Sequence, residues 1–282
     1  MKTQIIIDSA SDISKKEADE LGLVFIPMKT LFGEVEYRDG IDITQHEFYE
    51  KLIEGDVHPT TSQIPPYEYE EIYSKIKASG DEAIVITVSS KLSGTYASAN
   101  IALEGYEDCI HIVDSENVCI GEQILIRYAV QLRDKGYTTN EMIEELNRVK
   151  KDIRLIALLD TLEYLKRGGR VSKAAAFAGG LLSIKPVIAV DDGEIAILGK
   201  ARGSKNGNNM LIEYINTSGG IDFSLPLALG YSGLEDSLLQ KYISDSKGLW
   251  EDNIDQLPIS PIGSAIGTHA GPGAIAVAYF KK

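Results

Sequence analysis

The stretch Ala83-Ile84-Val85-Ile86-Thr87-Val88, followed by Ser89-Ser90-Lys91-Leu92-Ser93-Gly94-Thr95, organises the reading of the chain. Six uncharged residues, most of them β-branched, read as a strand buried on both faces. The polar run after them reads as a turn that opens a helix over 96–103. In a parallel sheet that turn lies at the carboxyl edge, where open α/β sheets bind their ligands. A helix amino terminus offers unpaired N–H groups and partial positive charge, which suit a phosphate or carboxylate. Ser93 adds a hydroxyl, and Gly94 lets a ligand approach the backbone closely. The plainer alternative is that Ser93 or Thr95 only caps the helix.

Outward from this unit, residues 3–8, 23–28 and 109–113 read as further strands. Helical spacing marks 17–21, 45–54, 67–77, 121–135 and 140–151. Strands alternating with helices predict an α/β fold whose N-terminal domain, residues 1–152, is a mostly parallel three-layer α/β/α sandwich. The second half reads differently. Residues 186–190 and 194–199 flank Asp191-Asp192-Gly193, a hairpin signal. Strands over 155–159, 225–231 and 274–279, with helices over 161–166 and 234–244, predict a C-terminal mixed-sheet α/β domain over 153–282. An Ala/Gly-rich stretch, 174–182, lies between.

Composition narrows the function. The formal charge of −14 over 282 residues opposes nucleic-acid binding, which draws on Lys and Arg against phosphate. It equally opposes rest on an anionic membrane surface. No apolar run approaches the roughly 20 residues of a membrane span, so no stable membrane insertion is expected. The apolar run Ile5-Ile6-Ile7 ends at Asp8 and does not read as a leader, so a cytoplasmic location is expected. Cys109 and Cys119 are then expected as reduced thiols, and no zinc or other metal site is indicated.

Three more constellations bear chemistry. Thr60-Thr61-Ser62-Gln63 precedes a helix that its hydroxyls would cap, or they converge with Ser93 on one anion. Asp8-Ser9-Ala10-Ser11-Asp12 could hold a nucleophile, but no GxSxG elbow accompanies it and turn residues are expected at a strand end. From Tyr164 to Asn209 there are eight Lys or Arg against three Asp or Glu, a local +5 in an acidic chain. That segment holds Lys166, Arg167, Arg170, Lys173, Arg202 and Lys205, and reads as a docking or phosphate-binding surface, or as a solvated face. His269, among glycines, reads as a loop residue that is either satisfied by backbone or functional.

Ile7-Asp8-Ser9-Ala10-Ser11-Asp12, Thr61-Ser62-Gln63 and Ser90-Lys91-Leu92-Ser93-Gly94-Thr95 occur here in that order. They are followed by Leu165-Lys166-Arg167-Gly168-Gly169-Arg170, Lys185-Pro186, Ala201-Arg202 and Gly267-Thr268-His269, then Gly271-Pro272-Gly273. As an ordered set spanning the chain, these motifs resemble the DegV family of bacterial fatty-acid-binding proteins. The resemblance implies a long-chain fatty acid, such as palmitate, enclosed between two α/β domains, with no other cofactor and no catalytic residue. It implies that Thr61 and Ser93 hydrogen-bond the carboxylate, with Ser62, Gly94 and His269 beside them. It further implies a separate fatty acid kinase as partner, making the acyl phosphate that feeds phospholipid synthesis. Ala174, Phe177, Ala178, Leu181 and Leu182 are small or apolar enough to line a narrow tunnel, or to pack a helix. The rival readings are a serine hydrolase using Ser93 with His269, and a binding module for a small phosphorylated metabolite.

Overall fold

Strand β1 (Thr3–Asp8) turns Ile5 and Ile7 to one side and Ile6 to the other, and all three are buried. A strand of period two with both faces apolar needs cover on both. The computed structural model, which describes residues 2–171 and 184–282, supplies it. Strand β1 lies in a four-stranded parallel sheet of order β2-β1-β6-β7, with β2 (Val24–Ile26), β6 (Glu82–Thr87) and β7 (Ile110–Asp114). Tyr69 and Tyr73 of α3 (Pro66–Ser79) and Ala99 of α4 (Thr95–Ile101) cover one face. Ala18 of α1 (Lys15–Glu20), Ile124 of α5 (Cys119–Asp134) and Met142 of α6 (Thr139–Val149) cover the other. The three layers expected of the first half are present.

The second sheet has six strands in the order β10-β9-β8-β13-β11-β12. They are β8 (Ile153–Leu158), β9 (Ile184–Asp191), β10 (Glu194–Arg202), β11 (Ala228–Tyr231), β12 (Ile259–Pro261) and β13 (Ile275–Phe280). Only β11 and β12 run parallel; the other pairs are antiparallel. The β9–β10 hairpin turns at Asp192 and Gly193, with φ of 48° and 75°, the left-handed pair that the Asp-Asp-Gly signal anticipates.

The two faces of this sheet differ in side-chain size. Ile156, Leu158, Ile275, Val277, Tyr279 and Leu229 pack on α8 (Gly203–Thr217) and α9 (Ser237–Asp245). The opposite face carries Ala157, Ala276, Ala278, Ala228 and Gly230, and cross-strand register puts Ala157, Ala276 and Gly230 in one row. That small-residue face meets α5, whose first eight residues, Cys119 to Ile126, are all buried. The segment is apolar but for Glu122 and Gln123, and Gln123 is bonded to the Ser11 and Asp12 carbonyls and to Ser260, so it can be buried all round between two sheets. One apolar core therefore joins both sheets through α5.

A third sheet was not anticipated: β3 (Lys29–Phe32), β4 (Val35–Arg38) and β5 (Thr60–Ser62), antiparallel in the order β4-β3-β5. Thr60-Thr61-Ser62 is thus a strand, and Pro65, without a side-chain bond, caps α3. Also unanticipated are α8, α10 (Lys247–Trp250), strand β12 and α11 (Ser264–Ala270), which places His269 in a last helical turn rather than a loop. Helices α2 (Gln45–Glu54) and α7 (Glu163–Arg167) lie close to their expected positions. No helix among the described residues is long and apolar enough to cross a membrane.

Candidate functional site

The Asp8–Asp12 turn holds backbone together. Asp8 accepts from the amides of Ala10 and Val88 at 3.0 and 2.9 Å, tying the end of β1 to the end of β6. Asp12 Oδ1 accepts from Gly263 N at 2.8 Å, just before α11. Asp39 Oδ1 accepts from both the amide and the hydroxyl of Ser264, at 2.8 and 2.7 Å. All of these groups are buried or nearly so. Burial pushes Asp8 up to about 7 and Asp12 up to about 8, against the pull of those amides, and it raises Asp39 as well. With both its oxygens taken by backbone, Asp8 is a strut, not a free nucleophile.

Those struts fix α11 against the carboxyl edge of the parallel sheet, and a cavity of about 390 Å³ opens there. Its floor is the small-residue face of the six-stranded sheet, with Leu155, Ala157, Ala274 and Ala276. Met28, Val88 and Cys119 line it from the first half of the chain, and Ala265 and Ile266 from α11. Alanines where the opposite face carries Ile, Leu and Val leave this space unfilled. A largely apolar pocket of this size with a few polar groups is the usual form of a small-molecule site.

The polar lining residues make short local contacts. Thr61 Oγ1 and His269 Nε2 are 2.9 Å apart. Arg170 Nε donates to Leu92 O, beside Ser93, at 3.1 Å. Ser93 Oγ lies 2.9 Å from Thr95 Oγ1 and accepts from Thr95 N at 3.2 Å. Ser62, Gln63 and Gly94 complete the group. Burial, then the neighbouring Arg170 and His58, push His269 down to about 4, so its ring is neutral at pH 7. Its Nδ1 is buried with no partner among the described residues and rests on Gly168, where a Cβ would come within 2.0 Å of it. Gly168→Ala is therefore expected to push the ring outward. An NMR titration should show the His269 midpoint climb from about 4 towards its ordinary 6.5, and an unmoved midpoint would refute the contact's role.

The candidates sort clearly. Thr61, Ser62, Ser93, Gly94, His269 and Arg170 meet at the cavity. Lys166, Arg167, Arg202 and Lys205 are exposed and do not line it, and Arg167 pairs with Glu163 at 2.9 Å. Lys173, Ala174, Phe177, Ala178, Leu181 and Leu182 lie outside the described residues. His269 bonds Thr61 and Ser93 bonds Thr95, so the serine–histidine dyad is not formed. No cluster of His, Cys, Asp or Glu among the described residues could hold a metal. The alanine floor escaped sequence reading, although small residues at alternate positions of β13 were a visible signal.

Comparison with known proteins identifies the family and the fold. The family model described as "Uncharacterised protein, DegV family" matches residues 2–282. A DegV domain-containing protein of Caldanaerobacter subterraneus subsp. tengcongensis is 33% identical over 284 residues, covering 100% of this chain and 99% of that one. The fold is similar to a fatty-acid-binding DegV family protein from Thermus thermophilus, with TM-score 0.89, 28% identity and 99% and 100% of the two chains covered. It is also similar to DegV, a fatty acid binding protein from Bacillus subtilis, with TM-score 0.86, 31% identity and 100% of each chain covered. A stearic acid-binding protein from Eubacterium ventriosum gives TM-score 0.87 at 27% identity, covering 100% of this chain and 99% of that one.

Proposed function

This chain belongs to the DegV family, and from that premise we propose that it binds one long-chain fatty acid in the cavity above the small-residue face. The single observation that carries the reading is a largely apolar cavity on which Thr61, Ser62, Ser93, Gly94, Arg170 and His269 converge. The chain's methylenes contribute about 0.8 kcal/mol each on burial, enough for micromolar or tighter affinity. Thr61 and Ser93 hold the carboxylate, with Ser62, Gly94 and Arg170 close by. Neutral His269 fixes the Thr61 hydroxyl: if Nε2–H donates to Oγ1, the Thr61 proton is free for the ligand. Division into two domains at about residue 152 fits β8 beginning at Ile153, with the ligand between the sheets.

The proposed partner is a fatty acid kinase. A carboxylate held by hydroxyls keeps a lone pair for attack on the terminal phosphate of ATP, with ADP leaving and the acyl phosphate formed. Lys166, Arg167, Arg202 and Lys205 are solvent-facing cations in a chain of −14 and are suited to docking an acidic surface.

Solvent extraction and mass spectrometry test the ligand. About one long-chain acid per chain is expected, and stoichiometric nucleotide or sugar phosphate instead would falsify the reading. Thr61→Ala and Ser93→Ala each remove a hydrogen bond to a charged group, and about 10- to 150-fold weaker retention is expected with the fold intact. Wild-type retention in both would reassign the head group. In the same assay with kinase and ATP, Arg202→Ala should keep its lipid and lose phosphorylation; unimpaired phosphorylation would remove the docking assignment.

A further inference from the structure

Gln63 does something that head-group binding alone does not require. It follows Thr61 and Ser62 of β5, yet its side chain reaches a different segment. Its Nε2 donates to Ser98 Oγ on α4 at 2.9 Å. Ser98 is fully buried, while Gln63 itself is exposed and covers the start of α4 from outside. Its Oε1 occupies the space above Gly94: a Cβ there would lie 1.8 Å from that oxygen, far inside any contact distance. Gly94 has φ −72°, a value open to every residue, so backbone conformation does not call for glycine. The neighbour does.

We infer that Gln63 is a positioning residue: it clasps β5 to α4, seated on Gly94, and so sets the separation of Thr61 and Ser93. Two hydroxyls from segments far apart in sequence can share one carboxylate only if their spacing is held. Among the described residues, the Gln63–Ser98 bond ties the end of β5 to α4 through side chains, and the missing Cβ at position 94 leaves the space that the Gln63 amide occupies. The Thr-Ser-Gln and Ser-Gly-Thr motifs are then two halves of one fitting. This inference rests on the fatty-acid reading above and deepens it. The alternative is that Gly94 is small so that the ligand itself can approach the backbone.

A double-mutant cycle separates the two, read out with palmitate and with the matching primary alcohol, hexadecanol, which shares the tail and lacks the carboxylate. Gly94→Ala should displace Gln63 and weaken palmitate binding by about tenfold or more, the scale of one hydrogen bond to a charged group. Hexadecanol binding should change much less. In Gly94→Ala/Gln63→Ala the methyl enters vacated space, so the double variant should bind palmitate better than Gly94→Ala alone and close to Gln63→Ala. Equal harm from Gly94→Ala with and without Gln63 would overturn the clasp in favour of ligand approach. An equal loss for acid and alcohol would reduce it to a structural contact and overturn positioning. Thermal unfolding of the four proteins reads the clasp without ligand: the penalty of Gly94→Ala should shrink when Gln63 is Ala, and an additive cycle counts against it. If wild type binds neither lipid, the fatty-acid reading fails, and the unfolding cycle alone still decides whether Gln63 and Gly94 are coupled.

Discussion

Ala276→Phe is expected to purify as a folded protein nearly free of long-chain fatty acid. Ala276 sits mid-strand on the small-residue face, 3% exposed, paired across β13 with Ala157 on one side and Gly230 on the other. A ring there projects into the cavity and takes the place of about four methylenes of ligand. At about 0.8 kcal/mol each this is about 3 kcal/mol, or on the order of a hundredfold in affinity for the longest chains. Overpacking a filled core costs about 1–3 kcal/mol, but here the ring enters space that is already empty. The ligand-free variant should therefore melt no lower than ligand-free wild type. Ala278→Phe is the contrast: it lies on the same face but against α5 and off the cavity, and it should lower the melting temperature. Extraction of Ala276→Phe with the wild-type complement of C16 or C18 acid would show that the chain does not run over this row.

Where the sequence was legible, one local pattern had one structural outcome. Ile5-Ile6-Ile7 is apolar at every position and Ala83 to Val88 at every position but Thr87, and only a strand covered on both faces satisfies that. Asp192-Gly193 allows left-handed backbone and so announces its hairpin. The failures have a common physical cause. Gly203-Ser204-Lys205-Asn206-Gly207-Asn208 looks like a loop because glycine and asparagine disfavour helix, yet it opens α8. Gly207 is there because Leu158 packs where its Cβ would be, at 2.5 Å, and buried Asn208 bonds Asp245 at 3.0 Å. Helix α11 is hidden in the same way, since Gly267 lies under the rings of Phe48 and Tyr49. Strands β3, β4 and β5 are three or four residues each, and β5 is all hydroxyl, so no periodicity can emerge.

The site shows the same division. Thr61, Ser93 and His269 stood out in the sequence as motifs, and the fold brings them to one cavity, with Thr61 and His269 bonded across 208 positions. What it could not disclose is why neighbouring glycines are glycines. Gly94, Gly168 and Gly267 each lie outside the left-handed region and each is pressed by a side chain from a distant segment. Steric need of that kind exists only once the chain has folded.

The folded state is expected to lose stability between pH 6.5 and 8.5, the reverse of the usual behaviour of surface carboxylates. Burial raises Asp8 from 3.8 to about 7 and Asp12 from 3.8 to about 8, and lifts Asp39 and Glu122 too. From about pH 4 upward the folded chain holds protons that the unfolded chain has released, so stability falls as pH rises through the folded values. His269 has the opposite sign. Lowered from 6.5 to about 4, it favours the fold increasingly as pH rises to 6.5 and adds nothing further above that. The interval from 6.5 to 8.5 therefore isolates the carboxyl groups, and a loss on the order of 2 kcal/mol is expected at about 1.4 kcal/mol per proton per pH unit. Asp12→Asn keeps an oxygen for Gly263 N and cannot ionise, so its unfolding free energy should vary less with pH over that interval. Comparing slopes cancels any fixed cost of the new amide. Denaturant unfolding at pH 6.5, 7.5 and 8.5 measures both. A wild-type free energy that is flat or rising there, or an Asp12→Asn slope equal to wild type, would mean that Asp12 meets Gly263 as an ordinary ionised carboxylate and that α11 is held by charge rather than by a buried, proton-bearing acid.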